Sequence, residues 1–287
     1  MSGVNSPIEP LLLTVDAFCH APFTGNPAAV CLMPSPKSDA WMQAMAAEMN
    51  LSETGFLLAQ GDHYSLRWFT PTVEVDLCGH ATLASARALW ESGLVDSSQT
   101  IAFQTRSGLL TARPETDPAS GLIWLNFPAK ISQAVAAPAG LVESLGLPPE
   151  AVCSIGRNQF DYMVEVAGED RVHRLSPDFQ ALRQVQARGV IVTSLPSAEN
   201  RADYDFVSRF FAPQSGVNED PVTGSAHCAL APFWGDRLQR QRLRGYQASR
   251  RGGFVEVVCE GDRVHLGGRA MVVMKAIIQP EIWDAGA

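Results

Sequence analysis

Paired cysteines are missing from this chain. The six cysteines stand singly, and none forms a CxxC pair or a zinc-like spacing with a histidine: Cys19, Cys31, Cys78, Cys153, Cys228 and Cys259. A structural zinc site and a disulfide framework are therefore not predicted. Scattered single thiols in a chain of this size are typical of a reducing compartment, so we predict a cytoplasmic protein that uses no metal.

Long hydrophobic runs are missing as well. No apolar segment approaches the ~18 residues that a membrane-spanning helix needs. The first ten residues, MSGVNSPIEP, contain no basic stretch followed by an apolar one. Neither a signal peptide nor a membrane anchor is predicted.

An excess of positive charge is also absent. Lys and Arg number 22 against 30 Asp and Glu, which gives a net charge of −8. The densest basic stretch, 237–251, is interrupted and typical of a solvated surface, so no nucleic acid or anionic membrane is expected as a partner. What the chain has is an apolar fraction of 46% over 287 residues, enough for one large domain or two medium ones.

Strand-like segments dominate the chain and helices interrupt them. Short segments rich in β-branched and aromatic residues predict strands at 11–18, 28–33, 54–59, 64–70, 100–105, 121–127, 160–167, 189–194, 204–211, 254–259 and 271–278. Helices are predicted at 39–48 (from Ser38 as N-cap to Asn50), 82–91, 141–145 and 225–234. The segment 176–186 is a further helix candidate with Ser176 as cap, and Pro232 predicts a kink or early end in the fourth helix.

Two of these helical segments resemble each other. CGHATLASARALW (78–90) and TGSAHCALAPFW (223–234) are both rich in small residues and poor in charge, a composition typical of helices buried on all sides. Two such helices, each set among strands, indicate two similar halves. We predict one half from 1–130 plus a returning terminal strand at 270–287, and the other from 131–269, with a linker within 132–140.

Both segments open with a glycine at a helix start. The first amides of a helix have no partner inside it and its dipole is positive there, so Gly79-His80 and Gly224-Ser225 could bind a carboxylate. The alternative is that each glycine only permits a tight turn. Ser225 could instead cap its own helix.

Three ionisable residues accompany these helix starts. His80 is expected to be neutral near the positive helix end and able to exchange a proton. Asp220 is either a helix cap or turned toward a ligand or toward His80. Its neighbour Glu219 is taken for a surface residue without chemistry. Glu53, between a helix and a strand, is either a surface or capping residue or a general base.

At this point several segments together resemble one family, the PhzF-like isomerases of phenazine biosynthesis, which have the diaminopimelate epimerase-like fold. The segments are FTGNPAAV (23–30), LSETGF (51–56), LRWFTPTVEVDLCGHAT (66–82), FDYMVEV (160–166) and GVNEDPVTGSAH (216–227). They occur in family order along nearly the whole chain.

The resemblance implies an α+β protein with two pseudo-symmetric halves, each a curved, mostly antiparallel sheet or open barrel around a central helix. It implies an active site in the cleft between the halves, proton transfer without a cofactor within a small carboxylate-bearing substrate, and a homodimer. By position, Glu53 is the implied acid/base, His80 and Asp220 assist it, and Ser225 joins the substrate site.

Two rival functions stay open. Related epimerases and racemases use two cysteines, and Cys78 stands at the first such place, whereas Thr223 stands at the second. A racemase or epimerase with Cys78 as one base and Glu53 or Asp220 as the other is therefore an alternative. The other alternative is a metabolite-binding protein of the same fold without catalysis.

Overall fold

The computed structural model describes residues 9–285, so most of the N-terminal segment for which no signal peptide is predicted lies outside the described residues. The chain forms two units. The first contains the described residues up to Ala17, Pro27–Asn126 and those from Gly268 onward; the second contains Phe18–Asn26 and Phe127–Gly267. The sequence-based division had its boundaries at 130/131 and 269/270 and left 18–26 in the first half. Among the described residues, none of the helices combines the length and apolar character that crossing a bilayer requires.

The first unit is built on a mixed sheet. Its strands are β1 (Leu11–Ala17), β2 (Asn26–Met33), β3 (Thr54–Gln60), β4 (His63–Phe69), β5 (Glu74–Val75), β6 (Ile101–Thr105), β7 (Gly108–Pro114), β8 (Ile123–Pro128) and the terminal β17 (Ala270–Ile277), and its helices are α1 (Asp39–Met49), α2 (Gly79–Glu91) and α7 (Pro280–Trp283). Strand β17 pairs antiparallel with β1, so the two ends of the described chain lie in the same sheet.

The second unit holds the other eight strands. They are β9 (Gln133–Ala134), β10 (Val152–Arg157), β11 (Asp161–Val166), β12 (Gly189–Ser194), β13 (Phe206–Phe211), β14 (Arg242–Gln247), β15 (Gly253–Glu260) and β16 (Arg263–Gly268). Its helices are α3 (Leu141–Ser144), α4 (Glu169–Arg174), α5 (Phe179–Leu182) and α6 (Gly224–Leu238). Each of these strands pairs with the next one along the chain.

Parallel and antiparallel strand pairs follow each other in the same order in the two units. In the first, β2–β3 and β4–β6 are parallel, while β3–β4, β6–β7 and β7–β8 are antiparallel. In the second, β11–β12 and β13–β14 are parallel, while β12–β13, β14–β15 and β15–β16 are antiparallel. Parallel neighbours need a long crossover. The small-residue helices α2 and α6 form corresponding crossovers, β4 to β6 and β13 to β14, which explains their resemblance.

Helix boundaries confirm part of the prediction and correct the rest. Ser38 caps α1 by accepting a hydrogen bond from the Trp41 amide, and Asn50 closes it in a left-handed conformation, as expected. The candidate helix at 176–186 is only α5, and its cap is Asp178, which accepts from two amides, rather than Ser176. Helix α2 begins at Gly79, three residues before the predicted start.

Pro232 does not end α6 early, so that part of the prediction was wrong, while the kink stays a prediction. The helix continues to Leu238. A proline inside a helix leaves the carbonyl four residues earlier without its usual donor. Here that carbonyl belongs to Cys228, and it accepts a hydrogen bond from the Lys130 amide at 2.9 Å. This external donor removes much of the cost of the proline.

Candidate active site

In the first unit, the chain brings Glu53, Cys78 and His80 together. Glu53 directly precedes β3, and its carbonyl accepts a hydrogen bond from the Ala29 amide at the start of the neighbouring β2. Cys78 is the N-cap of α2, and His80 is the second residue of that helix. The start of β3 and the start of the buried helix α2 therefore fix the positions of all three side chains.

The imidazole of His80 lies between the other two groups. Its Nε2 is 3.2 Å from Glu53 Oε2, and its Nδ1 is 3.5 Å from Cys78 Sγ. His80 and Cys78 are buried, while the Glu53 side chain keeps 19% of its exposure. Although the Glu53 and His80 atoms are close, neither makes a hydrogen bond of good geometry within the described residues. Both atoms are therefore poised to bond a third group.

Electrostatics decide which of these groups is charged. Burial, reinforced by the negative charge of Glu53, raises the pKa of the Cys78 thiol, so the sulfur is protonated near neutral pH. Burial alone would lower the pKa of His80, but the adjacent Cys78 and Glu53 side chains raise it well above its ordinary value. The raised pKa runs against the prediction of a neutral His80, because the neighbouring Cys78 and Glu53 side chains outweigh both burial and the helix dipole.

The starts of both small-residue helices lack a side-chain cap. Cys78 at α2 and Thr223 at α6 make no capping hydrogen bond, whereas Ser38 caps α1. The first amides at Gly79 and Gly224 are thus not satisfied by a cap residue. A helix start that keeps its amides for another partner suits an anionic group.

In the second unit, Asp220 does not cap α6. Its Oδ1 accepts a hydrogen bond from Asn26 Nδ2 at 2.8 Å, and its Oδ2 accepts one from the Thr223 hydroxyl. Gln247 holds the same turn, since its Oε1 accepts from the Thr223 amide at 2.8 Å and its Nε2 donates to the Asp220 carbonyl at 2.7 Å. Ser225 is half-buried in the first turn of α6. The capping hypothesis for Asp220 is therefore wrong.

Comparison with known proteins shows the family of the chain. The profile of the phenazine biosynthesis-like proteins, PhzC-PhzF, matches residues 15–276. The chain belongs to this family. An uncharacterized isomerase of Halalkalibacterium halodurans is 48% identical over 92% of this chain and 97% of that protein. One of Pseudomonas aeruginosa is 45% identical over 94% and 99%.

Solved structures agree with that assignment. A PhzF-family protein of Enterococcus faecalis superposes with a TM-score of 0.87 at 37% identity and covers 95% of this chain and 100% of its own. A probable proline racemase of Agrobacterium radiobacter, at 13% identity, superposes with a TM-score of 0.62 over 96% of this chain and 94% of its own, which shows a shared fold only. The α+β, epimerase-like fold is confirmed, and this phenazine biosynthesis-like protein is an isomerase.

One group of side chains in this phenazine biosynthesis-like protein has the composition of a metal site. Glu53, Cys78 and His80 offer a carboxylate oxygen, a thiol sulfur and an imidazole nitrogen within 4.8 Å of one another. Divalent transition metals bind such donors, but a cysteine ligand must first lose its proton. Burial and Glu53 both raise the pKa of Cys78, so metal binding at this set would have to displace the thiol proton.

Sequence reasoning missed two residues and misjudged a third. Asn26 and Gln247 contact Asp220, yet no role was predicted for either. Alternating exposure along β14 places Gln247 on its buried side, a signal obscured by the neighbouring arginines. Glu219, taken for a surface residue without chemistry, forms a two-pronged, largely buried ion pair with Arg209, with contacts of 2.7 and 2.9 Å.

Proposed function

We propose that this isomerase moves a proton within a small carboxylate-bearing metabolite without a cofactor, and that Glu53 is its general acid/base. The observation that supports this most strongly is the 3.2 Å approach of Glu53 Oε2 to His80 Nε2 without a well-formed hydrogen bond. A carboxylate held beside a buried imidazole, with an oxygen still able to bond a third group, has the geometry that a general base needs.

The proposed reaction needs no oxidant or reductant. Glu53 takes the proton from a C–H bond, and the electron pair of that bond passes into the adjacent unsaturated system of the substrate. The protonated Glu53 then gives the proton to a different carbon, which restores both the base and the electron count. His80, whose pKa is raised, would stabilise the negative charge that develops between the two steps.

The helix starts would hold the substrate carboxylate. The uncapped amides at Gly79-His80 and at Gly224-Ser225 favour an anion, and an anion near a helix start gains about 0.3–1 kcal/mol from the dipole. Asp220 would orient the substrate by accepting a hydrogen bond from it. That both sets of residues act on one substrate in a cleft stays a prediction.

The thiol alternative is weaker than the Glu53 proposal. A racemase of that type needs a thiolate as base. Burial raises the pKa of Cys78, and the second position is Thr223, whose hydroxyl donates its proton to Asp220. The non-catalytic alternative would leave the Glu53–His80 pair without a purpose. The cytoplasmic location and the homodimer stay predictions.

Deuterium labelling tests the proposal even while the substrate is unidentified. Purified protein is incubated in heavy water with a bacterial small-molecule extract, and mass spectrometry follows deuterium uptake. We expect at least one carboxylate metabolite to gain deuterium at carbon, since a proton-transfer enzyme labels its substrate even at equilibrium. If no carboxylate metabolite from a broad set gains label, the binding-protein alternative replaces the proposal.

A further inference from the structure

Asp220 accepts hydrogen bonds from side chains on two other parts of the chain, which a helix-cap role would not explain. Thr223, the N-cap residue of α6, gives its hydroxyl proton to Asp220 Oδ2 instead of capping the helix. Asn26 Nδ2 donates a hydrogen bond to the other carboxylate oxygen, Oδ1, at 2.8 Å. Each oxygen thus accepts from at least one donor, as an ionised carboxylate can.

The neighbours of Asn26 fix the orientation of its side-chain amide. Its Nδ2 also donates to the Val222 carbonyl at 2.9 Å, and both partners of that nitrogen are acceptors. The amide therefore cannot be turned over without losing both bonds. Asn26 is completely buried, and its Oδ1 has no partner within the described residues. An unsatisfied buried acceptor costs about 1–3 kcal/mol, which the two hydrogen bonds donated by Asn26 Nδ2 must offset.

The segment that carries Asn26 is anchored in the second unit. Residues 18–26 belong to the second unit, although in the sequence they lie between segments of the first unit. The Gly25 amide donates to the Gly252 carbonyl at 2.7 Å, and Arg251 Nε donates to the Gly25 carbonyl at 2.8 Å. These bonds fix the backbone immediately before Asn26.

Gln247 fixes the turn from the opposite side. It is completely buried on β14, and its side-chain hydrogen bonds all go to Asp220 and Thr223. Besides the two bonds described above, its Nε2 donates to Thr223 Oγ1 at 3.1 Å. That bond uses a lone pair of the hydroxyl and leaves its proton for Asp220.

We propose that Asn26 and Gln247 are positioning residues of the isomerase, which together hold the Asp220 carboxylate as an oriented, ionised acceptor beside the start of α6. The inference rests on the proposed function, in which Asp220 contacts the substrate. Ionisable groups on the surrounding elements include Glu219 with its partner Arg209, Arg251, and His227 one turn into α6.

Two isosteric substitutions test this. Asn26→Asp puts an oxygen 2.8 Å from Asp220 Oδ1 in place of a donor, and Gln247→Glu does the same beside the Asp220 carbonyl. Asn158→Asp is the matched control, because this buried asparagine uses its Oδ1 to accept from the Phe160 and Asp161 amides and keeps that acceptor. The readouts are deuterium uptake by a small-molecule extract in heavy water, the carbon-13 titration of Asp220 (assigned through Asp220→Asn), and thermal melting at each pH.

For Asn26→Asp we expect the Asp220 titration midpoint to rise by about one pH unit or more, because two adjacent carboxylates share a proton. Deuterium uptake by the small-molecule extract should fall about ten-fold at pH values above that midpoint. It should recover below the midpoint, where protonated Asp can donate as Asn26 does. Gln247→Glu should show the same acid rescue, while Asn158→Asp should follow the wild type.

A purely structural role would lower the melting temperature without changing the pH profile of the folded protein. Wild-type pH profiles in both variants, or an unchanged Asp220 midpoint in Asn26→Asp, would overturn the inference. Failure of the proposed function looks different: the wild type itself then labels no metabolite, while the Asp220 titration still reports whether Asn26 governs that carboxylate. Where one variant is unfolded at a given pH, the other provides the comparison.

Discussion

Glu53 Oε2 and His80 Nε2 lie 3.2 Å apart, and neither atom makes a well-formed hydrogen bond in the described part of the chain. One atom belongs to a residue at the edge of the sheet and the other to the first turn of a buried helix. A structural ion pair normally gains from good hydrogen-bond geometry. A close pair without it is better suited to binding a third group.

The His80–Glu53 pair makes stability depend on pH. The pKa of His80 is raised, so its contribution is complete below the unfolded value of about 6.5 and is lost as the pH rises through the folded value. We expect His80→Gln to destabilise the protein most below about pH 6.5, with a smaller difference at higher pH. Urea unfolding of both proteins across the pH range measures this, and a difference that grows with pH would contradict it.

Cys78 should be dispensable as a base. Because burial raises the pKa of its thiol, we expect Cys78→Ser to keep deuterium-transfer activity within about three-fold of the wild type. Cys228→Ser is the matched control for loss of packing, since that thiol is also buried at a small-residue helix. Complete inactivity of Cys78→Ser in a folded protein would restore the racemase alternative.

His227 should give the opposite pH dependence to His80. Its Nδ1 donates to the Thr223 carbonyl, its Nε2 is buried without a partner in the described residues, and burial lowers its pKa to about 4. Between about pH 6.5 and 4 the unfolded chain binds more protons, so stability falls as the pH falls. We expect His227→Gln to flatten this part of the curve, as measured by unfolding free energy. An equally steep acid loss in the variant would show that another group is responsible.

Gly253 permits a close approach of its strand to Phe18 and Val222. A Cβ there would lie 2.5 Å from the Phe18 carbonyl oxygen and 2.6 Å from Val222 Cγ2. Gly253→Ala must displace both segments, and we expect a loss of about 1–3 kcal/mol in unfolding free energy. Chemical denaturation measures it. An unchanged free energy would mean that the backbone relaxes without strain.

Much of the fold was readable from local pattern. Segments such as 189–194 are short, apolar and sharply bounded, and they are strands as predicted. The missed strands, β5, β7, β9, β10, β14 and β16, are short or carry arginine and glycine that weaken the apolar signal. In β14 the alternation was present, but the arginines suggested only a basic surface.

The candidate site was partly predictable for a different reason. His80 stands beside a glycine helix start, Glu53 lies between a helix and a strand, and both belong to motifs, so residue type and position pointed to them. The Asn26–Asp220 contact joins residues 194 positions apart, and only the packing of residues 18–26 into the second unit creates it. The charge of His80 likewise depends on a distance that no sequence pattern contains.

In the proposed reaction, Glu53 carries the proton. Comparing deuterium transfer from heavy water by wild type, Glu53→Gln and Glu48→Gln tests this directly; Glu48 is an exposed glutamate at the end of α1. We expect Glu53→Gln to stay folded and to bind the labelled metabolite but to transfer no deuterium, while Glu48→Gln matches the wild type. A folded Glu53→Gln variant with wild-type transfer would contradict the account.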